Sequence, residues 1–275
     1  MTDERGNAAA PSSPVSPPPS SFSYFPALPP PVNVSLAVLE EHPCPYLPDR
    51  LSQSRAAWAE QIPGGLYHQF MDAGFRRSGK LLYQPVCRGC RACVSIRVPV
   101  DAFRPTKSQR RCRRRNADLT VSAAAPAATD EKYELYQRYV VGRHGRPVEE
   151  ESRTSFESFL YESPVDTAEF CYRDAAGRLI AVGICDLCRE SLSSVYFYFE
   201  PAEARRGVGT FGALYEIEAA ARLGVPYYYP GYWVDGCGAM QWKADFRPVE
   251  VLGPDAVWRP LEEPVRQAAR DLSTG

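Results

Sequence analysis

The chain has 275 residues, enough for one large or two small domains, and 44% of them are hydrophobic, which is ample for a buried core. The formal net charge is −1, and no run of about 18 apolar residues predicts a membrane-spanning helix. The nine cysteines are an odd number scattered along the chain, which favours a reducing compartment over a disulfide framework. The N-terminus lacks the basic and apolar regions of a secretory signal, so we expect a cytoplasmic protein.

The N-terminal half is predicted to contain short strands and helices after a tail. Residues 1–31 hold nine Pro and six Ser and predict a disordered or polyproline-like segment. Strands are predicted over 33–41, 81–85 and 94–100, and helices over 51–61 and 66–73. Three prolines predict a rigid turn over 42–50, and Gly74 is the expected C′ residue of the second helix.

The C-terminal half follows a predicted small-residue linker over 121–132, where the composition changes. Helices are predicted over 133–144, 154–161 and 210–223, and strands over 169–173, 179–187, 194–199 and 225–233. The turn at 174–178 has the Asp and Gly typical of a hairpin. A strand, a Gly-rich loop, a helix and another strand in succession predict a β–α–β crossover unit.

The charge of the chain is distributed unevenly. Residues 74–115 carry thirteen Lys and Arg against one acid, Asp101, for a local charge of +12, so the rest of the chain carries −13. Basic segments of this density are typical of polyanion binding, because each cation placed on a phosphate releases condensed counterions. The alternative is a solvated basic loop beside a buried strand. The Arg-rich end of the segment favours a nucleic-acid-binding element.

A Gly-rich loop over 204–212, ARRGVGTFG, opens the helix predicted at 210–223. Backbone N–H groups at a helix N-terminus, flanked here by Arg205 and Arg206, suit a phosphate or another anion. The loop resembles the pyrophosphate loop of the GCN5-related N-acetyltransferases, although Ala204 stands where the first Arg or Gln belongs. The alternative is a simple turn into the helix.

Cysteine spacing in the basic stretch is a double C-x-x-C. Together with Cys44, the thiols of Cys87, Cys90 and Cys93 could form a four-thiolate site for structural zinc or an iron–sulfur cluster. The alternative is that these cysteines are core residues and free thiols, since the fourth ligand is not local.

The aromatic block at 230–252 predicts a ligand pocket, because aromatic walls with a few convergent charges are typical of one. Tyr232 and Trp233 are expected in its wall. Four acids are candidate proton acceptors: Asp186, Glu200, Asp235 and Asp245.

Several long strings occur together in the order found in one family. They are CPYLPDR (44–50), GFRRSG (74–79), YQPVCRGCRAC (83–93), FRPTKSQRR (103–111), RRRN (113–116), VYFYFEP (195–201) and GVGTFGALYEIEAAARLGVPYYYPGYWVDGCGAMQWKADFRPVEVL (207–252). The chain resembles the arginyl-tRNA–protein transferase family, and its bacterial aspartate/glutamate leucyltransferases most, from residue 33 to about residue 260. It departs from many members at Gly207-Val208-Gly209-Thr210, which takes the place of Ser-Leu-Gly-Thr, and at Gln241-Trp242-Lys243, where a Tyr-Lys pair is usual.

The resemblance implies an α+β fold. A small N-terminal α/β domain over 32–120, with the cysteine loop, would precede an acetyltransferase-like domain with a mixed sheet over 133–262, and 263–275 would be a tail. The implied activity moves an aminoacyl group from its tRNA to the N-terminal Asp or Glu of proteins and marks them for degradation. The partners are then an aminoacyl-tRNA and those proteins, with no membrane and no DNA. Bacterial likeness favours Leu, with Arg as the alternative donor group.

Within this reading the cations receive two roles. Arg76, Arg77 and Lys243 are assigned to the acidic substrate residue or the terminal adenosine, since Arg pairs well with carboxylates. The tRNA phosphates are assigned to Arg110, Arg111, Arg113, Arg114 and Arg115. The reaction requires no metal or nucleotide cofactor. Two alternative functions remain: an acyl-CoA-dependent acetyltransferase, and a non-catalytic RNA-binding protein with a thiolate metal site.

Overall fold

The computed structural model describes residues 34–145, 147, 152–234 and 236–261. The tails predicted at 1–31 and 263–275 lie outside these ranges, as does Asp235. The helices are α1 (Gly64–Asp72), α2 (Lys107–Arg115), α3 (Asp130–His144), α4 (Arg153–Leu160) and α5 (Val208–Leu223). The strands of the N-terminal half are β1 (Ala37–Val38), β2 (His42–Pro43), β3 (Leu51–Ser52), β4 (Ser54–Trp58), β5 (Arg76–Ser78), β6 (Leu81–Pro85), β7 (Cys93–Pro99) and β8 (Thr120–Ala124). The later strands are β9 (Thr167–Arg173), β10 (Leu179–Leu187), β11 (Ser191–Phe199), β12 (Tyr227–Val234), β13 (Glu250–Leu252) and β14 (Trp258–Pro260).

The main sheet has eight strands in the order β14-β13-β7-β12-β11-β10-β9-β8. It is mixed, because β11 and β12 run parallel whereas the other neighbours run antiparallel. Parallel neighbours need a crossover, and α5 supplies it. The α+β class with a mixed sheet and the β–α–β unit are therefore confirmed.

Helices cover both faces of the main sheet, as a sheet with two apolar faces requires. On one face Leu214 and Ile217 of α5 pack into the largest core cluster with Ile180 and Tyr228. On the other face α3 and α4 form a second cluster with strand side chains that point the opposite way, including Val182 and Ile184. Within the described ranges, no helix combines the length and the hydrophobicity of a membrane span.

The N-terminal half contributes to both sheets. A four-stranded sheet in the order β1-β4-β6-β5 stands beside the main sheet, and α1 leads into it. Strand β7, however, lies inside the main sheet between β13 and β12, and β8 pairs with β9 at its edge. The segment predicted as a linker at 121–132 thus holds most of β8 and the start of α3. The predicted division into two domains stays a prediction.

One predicted element has the wrong type. Residues 51–61 form strands β3 and β4 rather than a helix, and β4 pairs with β6 and β1 while Ala56 points into the core. Tertiary pairing here outweighs the helix propensity of the Ala, Leu and Glu residues. Residues 34–41 of the strand predicted at 33–41 are described, and Ala37–Val38 form β1 there, paired with β4 at the edge of the small sheet.

Other predicted elements occur with shifted ends. Helix α1 ends at Asp72, and Gly74 follows with φ +86°, as expected of a C′ residue. The turn after β9 is held by Asp174, whose carboxylate accepts backbone N–H bonds from Ala176 and Arg178. Helix α5 begins at Val208 and is capped by Gly207 in the left-handed region at φ +72°.

Candidate active site

Strands β11 and β12 form a fork, and the candidate site lies in it. They pair over Ser191–Ser193 and Tyr227–Tyr229 and then separate, while β12 stays paired with β7 along its other edge as far as Val234. The fork therefore opens at the carboxyl ends of two parallel strands, where ligands commonly bind in α/β sheets. The Arg76 guanidinium, from β5 of the small sheet, donates a 2.6 Å hydrogen bond to the freed carbonyl of Ser194.

Two cationic side chains meet above the backbone of Gly231 in this fork. A Cβ at Gly231 would stand 3.2 Å from Lys243 Nζ and 3.9 Å from Arg76 Nη2, and this residue has φ +97°. Lys243 comes from the 3₁₀ turn Gln241–Asp245 and donates to the carbonyl of Tyr232 at 3.2 Å. Burial and the neighbouring Arg76 charge lower the pKa of Lys243 to about 7. The fork thus holds one permanent and one titratable cation.

A buried carboxyl group lies behind the cations. Glu216 of α5 is 1% exposed and accepts a 2.6 Å hydrogen bond from the Tyr228 hydroxyl. Burial raises its pKa to about 7, against the opposing effect of hydrogen bonds from Tyr228, Ser194 and Cys185. The sequence analysis missed Glu216. A signal was available in the sequence, because Glu216 stands among apolar residues in the helix of the predicted crossover unit. One face of such a helix packs on the sheet and is buried.

Tyr232 and Trp233, which were predicted to line a ligand pocket, are both buried. Tyr232 is 4% exposed, and its hydroxyl donates to the carbonyl of Gly74 at 2.8 Å. Its ring contacts that of Tyr83 edge-on. Trp233 is 2% exposed and belongs to the main core. Tyr232 thus ties β12 to the loop that precedes β5, and this link holds Arg76 beside the fork.

Arg77 and Asp186 are paired with each other. Arg77 Nε and Nη2 donate to the two Asp186 carboxylate oxygens, each at 2.7 Å, and neither side chain has any exposed surface. Thr167 donates a further bond to Asp186 at 2.8 Å. This geometry leaves no free guanidinium for a substrate and no free carboxylate for a proton, so the pair joins β5 to the main sheet.

The other candidate acids are engaged elsewhere. Glu200 caps the 3₁₀ turn Pro201–Arg206 and pairs with Arg138 at 2.9 Å. Asp245 is exposed, and its carbonyl accepts a bond from Gln109 Nε2 at 3.1 Å. Neither carboxylate contacts Arg76 or Lys243 in the described part of the chain.

The five assigned arginines Arg110, Arg111, Arg113, Arg114 and Arg115 lie on α2 and are all exposed. The sequence analysis assigned no secondary structure to this segment. The helix begins with a capping box in which Thr106 and Gln109 satisfy each other's backbone N–H groups. Its inner face buries Gln109, Cys112 and Asn116, and this spacing turns the arginines outward.

These arginines differ in how far they are neutralised. Arg113 forms an ion pair with Glu218 of α5, and Arg115 donates to the carbonyl of Arg205 at 2.9 Å. Arg110 donates to the carbonyl of Pro105 at 2.5 Å. Within the described ranges the side chains of Arg111 and Arg114 have no hydrogen-bond or ion-pair partner.

Helix α2 also packs against the Gly-rich loop at 204–212. Cys112 Sγ donates to the carbonyl of Gly207 at 3.3 Å, and Asn116 donates to the carbonyl of Arg206 at 3.0 Å. Arg206 in turn pairs with Asp118. The loop is therefore packed against the basic helix, and one of its two arginines is already neutralised.

The predicted metal cysteines gather around Cys93. Burial, together with the thiols of Cys87, Cys44, Cys90 and Cys237, raises the pKa of Cys93 to about 12. The shift shows that these thiols lie close to one another, as the prediction of a four-thiolate site requires. Among the described residues no three His, Cys, Asp or Glu side chains are arranged to hold a metal ion. The site for zinc or an iron–sulfur cluster stays a prediction.

Two family models match most of the described chain. Residues 42–111 match the model of the N terminus of arginine-tRNA-protein transferase, and residues 131–253 match that of its C terminus.

Curated relatives carry one common name. An aspartate/glutamate leucyltransferase of Pseudomonas putida (strain W619) is 41% identical over 218 residues, covering 78% of this chain and 91% of that protein. The protein of that name from Hahella chejuensis is 37% identical, with 78% and 93% covered. The one from Stenotrophomonas maltophilia is 41% identical, with 76% and 86% covered.

Solved structures are similar at lower identity. L-PGS from Bacillus licheniformis is 13% identical with a TM-score of 0.44, covering 66% of this chain and 65% of that one. FemX is 9% identical with a TM-score of 0.45, covering 74% and 70%.

Proposed function

The chain belongs to the arginine-tRNA–protein transferase family, and we propose that it transfers leucine from leucyl-tRNA to the N-terminal Asp or Glu of protein substrates. The names of the curated relatives support both leucine and the acidic acceptor. The modified proteins would then be marked for degradation by the N-degron pathway. The observation that carries the proposal is the Arg76–Lys243 pair, because two adjacent cations at the fork suit a carboxylate side chain.

The proposed reaction is an aminolysis. The neutral α-amine of the substrate attacks the carbonyl carbon of the ester that joins leucine to the tRNA ribose. Because this ester is already activated, the enzyme has chiefly to align two large reactants and to manage protons. In the proposal Arg76 and Lys243 hold the acidic side chain, and the aminoacyl end of the tRNA enters the fork beside Tyr232.

Helix α2 is the proposed contact for the tRNA backbone. Arg111 and Arg114 are exposed and unengaged within the described residues, so they can be placed on phosphates without breaking an existing ion pair. Gln109 of the same helix bonds to the carbonyl of Asp245, in the turn that carries Lys243. A tRNA held on α2 would therefore lie next to the element that forms the proposed carboxylate site.

No metal or nucleotide cofactor is needed for aminolysis of an activated ester. The proposed roles of the side chains are to bind, to orient and to move protons. Metal analysis of the reduced full-length protein tests the separate prediction of zinc or an iron–sulfur cluster on Cys44, Cys87, Cys90 and Cys93.

A transfer assay tests the function. Leucyl-tRNA and arginyl-tRNA, each labelled on the amino acid, are incubated with the full-length protein and peptides that begin with Asp, Glu or Ala. We expect label from leucyl-tRNA on the Asp and Glu peptides and none on the Ala peptide. Label from arginyl-tRNA alone would replace leucine by arginine as the donor group. No transfer to either acidic peptide, or acetyl transfer from acetyl-CoA instead, would overturn the proposal.

A further inference from the structure

We infer that Lys243 is the proton acceptor for the substrate's α-ammonium group, and that the acidic side chain of the substrate enables it to act as one. The inference rests on the proposed function. It gives Lys243 a chemical role in addition to reading the carboxylate, and it makes the acidic residue part of the chemistry as well as of recognition.

The surroundings of Lys243 lack an anion bonded to its amine. From β5 it faces the Arg76 guanidinium, from α5 the Glu216 carboxyl, and from the loop after β12 the Cys237 thiol. The bond that Lys243 makes is to the carbonyl of Tyr232, and Glu216 is held by the Tyr228 hydroxyl. No ion pair in the described ranges joins a carboxylate to Arg76 or Lys243. A substrate carboxylate would supply the anion missing between them.

The protein groups around Lys243 bring the pKa of its amine close to neutral pH. Burial disfavours the charged amine most, and the field of the neighbouring Arg76 guanidinium disfavours a second cation beside it. With a pKa of about 7, an appreciable fraction of the Lys243 amine is unprotonated at neutral pH. The Lys243 residue is partly exposed, and its amine lies beside the Gly231 backbone, where β11 and β12 separate.

Substrate binding reverses this balance. An opposite charge within about 4–6 Å raises the pKa of an amine by about 1–3 units. That shift would bring the Lys243 pKa above the value of about 7.7–8.0 that is usual for an α-amine. The proton then favours Lys243, and the α-amine becomes the nucleophile. An N-terminal residue without a carboxylate lacks this effect even when its amine lies in the same place.

The proton inventory balances over the reaction. The α-ammonium gives one proton to Lys243, and the neutral nitrogen attacks the ester carbonyl. The nitrogen of the tetrahedral adduct carries two protons, and one of them passes to the ribose oxygen as the C–O bond breaks. Products are the amide and the free hydroxyl of the tRNA. Lys243 releases its proton to solvent when the product leaves and the field of Arg76 again prevails.

The kinetic test compares Lys243→Arg with the unaltered full-length protein on an Asp peptide. Arginine keeps the charge that binds a carboxylate but does not accept a proton near pH 7. We expect the KM for the peptide to change by less than about threefold while kcat falls about 100-fold at pH 6.5, within the range for loss of a general base. The loss should shrink to about tenfold or less at pH 8.5, because the α-amine there deprotonates by itself.

Lys243→Met is the second variant, since it removes both the charge and the base and should raise KM as well. Melting temperature and leucyl-tRNA affinity of both variants show whether they are folded. If Lys243→Arg keeps the kcat and the pH profile of the unaltered protein, Lys243 only binds the substrate carboxylate and accepts no proton. If the unaltered protein transfers nothing at any pH, the proposed function fails and the inference fails with it.

Calorimetry tests whether binding of the substrate carboxylate is coupled to protonation of Lys243. It needs neither a variant nor tRNA. Peptide binding at pH 7 is measured in two buffers of different ionisation enthalpy, which reports net proton exchange. A succinyl peptide, which keeps the Asp carboxylate but lacks the α-amine, should take up a fraction of a proton, because only Lys243 responds. The Asp peptide should instead release a fraction of a proton, because its ammonium supplies Lys243. Uptake with both peptides, or with neither, contradicts the inference.

Discussion

Glu216 is an acid and Lys243 is a base, and burial shifts the pKa of each toward neutrality. It raises that of Glu216 and lowers that of Lys243, both to about 7. Each side chain lies where little water is available to stabilise its charged form. Glu216 gains a hydrogen bond from Tyr228, whereas Lys243 has beside it a permanent cation. The chain keeps both groups despite their unfavourable burial, as is common at functional sites.

Replacement of Glu216 by Gln should change how stability depends on pH. Below pH 4.5 the carboxyl is neutral in both the folded and the unfolded chain. As pH rises from 4.5 to about 7, the unfolded chain ionises first, so the unaltered protein loses about 3 kcal/mol of stability at about 1.4 kcal/mol per pH unit. Glu216→Gln lacks this loss. Urea unfolding between pH 4.5 and pH 8 should show the two free energies of unfolding diverging, and parallel curves would contradict the assignment.

Breaking the Arg77–Asp186 pair should be strongly destabilising. Asp186→Asn leaves the Arg77 charge buried without its counterion, which costs about 3–5 kcal/mol. A double variant, Arg77→Met with Asp186→Leu, removes both charges and should recover most of the loss. Urea unfolding of the three proteins measures this. Equal stability of the single and double variants would mean that the buried charge is not the cause.

At the scale of single residues, sequence reasoning identified residue types better than their partners. Arg76 and Lys243 were assigned to the same role, and their side chains both lie beside Gly231. Arg77 was grouped with them because it is adjacent in sequence, yet alternation along β5 turns it toward Asp186 on the opposite side. Glu216 was missed because its burial follows only when the helix of the predicted crossover unit is placed against the sheet.

Helix α2 shows how one element combines anchoring with an exposed charge. Its buried face is fixed by Cys112 and Asn116 on the Gly-rich loop, and its arginines stand on the opposite side. The charge run was predicted as a polyanion contact, but the helix itself was not predicted. Its mean composition is too polar to show the apolar stripe from which helices are usually recognised. The capping pair Thr106 and Gln109 was the readable signal.

The two groups of arginines on α2 should differ in their effect on RNA binding. Replacing Arg111 and Arg114 by Ala should weaken tRNA binding and lower the slope of log affinity against log salt by about 1 per residue. Arg113→Ala is the matched control, because Glu218 already neutralises that side chain, and its effect should be smaller. Filter binding over a salt series measures both. An equal effect of all three replacements would remove the distinction between paired and unpaired arginines.

Elements predicted from strong periodicity or punctuation occur in the fold, while strands that depend on long-range pairing do not follow local propensity. The strand–loop–helix–strand unit was readable because Gly207 and Gly224 bound a long apolar helix. Residues 51–61 were misassigned because their state depends on pairing with Leu81–Pro85, about 30 residues away in sequence. Pairing over such distances leaves no periodic trace in a short window.

At the scale of the whole molecule, both halves of the chain contribute strands to the main sheet, because β7 from the N-terminal half lies inside it. It contributes Ile96 and Val98, both fully buried, to the same cluster as α5. Its order in the sheet could not be predicted, because strand order in a mixed sheet depends on long-range contacts and not on local pattern. The sequence boundaries near 121–132 mark a change in composition but no break in the sheet.

Unfolding should therefore be cooperative across the two halves. We expect a single urea transition for the full-length protein, with coincident curves from circular dichroism and tryptophan fluorescence. A fragment that starts at Asp130 lacks β7 and β8, and it should show no cooperative transition by itself. Two separated transitions in the full chain, or a stably folded fragment, would mean that the halves are independent units.

The interior position of β7 also bears on reassembly from pieces. A break between Ala124 and Asp130 would leave one piece with a strand lacking both neighbours and the other with a slot between β13 and β12. Each piece exposes the backbone groups that the other needs, so strand addition would drive the two to associate. We therefore expect the two pieces, coexpressed as separate chains, to behave as a split-protein pair. Recovered transferase activity would then report that the two pieces had met.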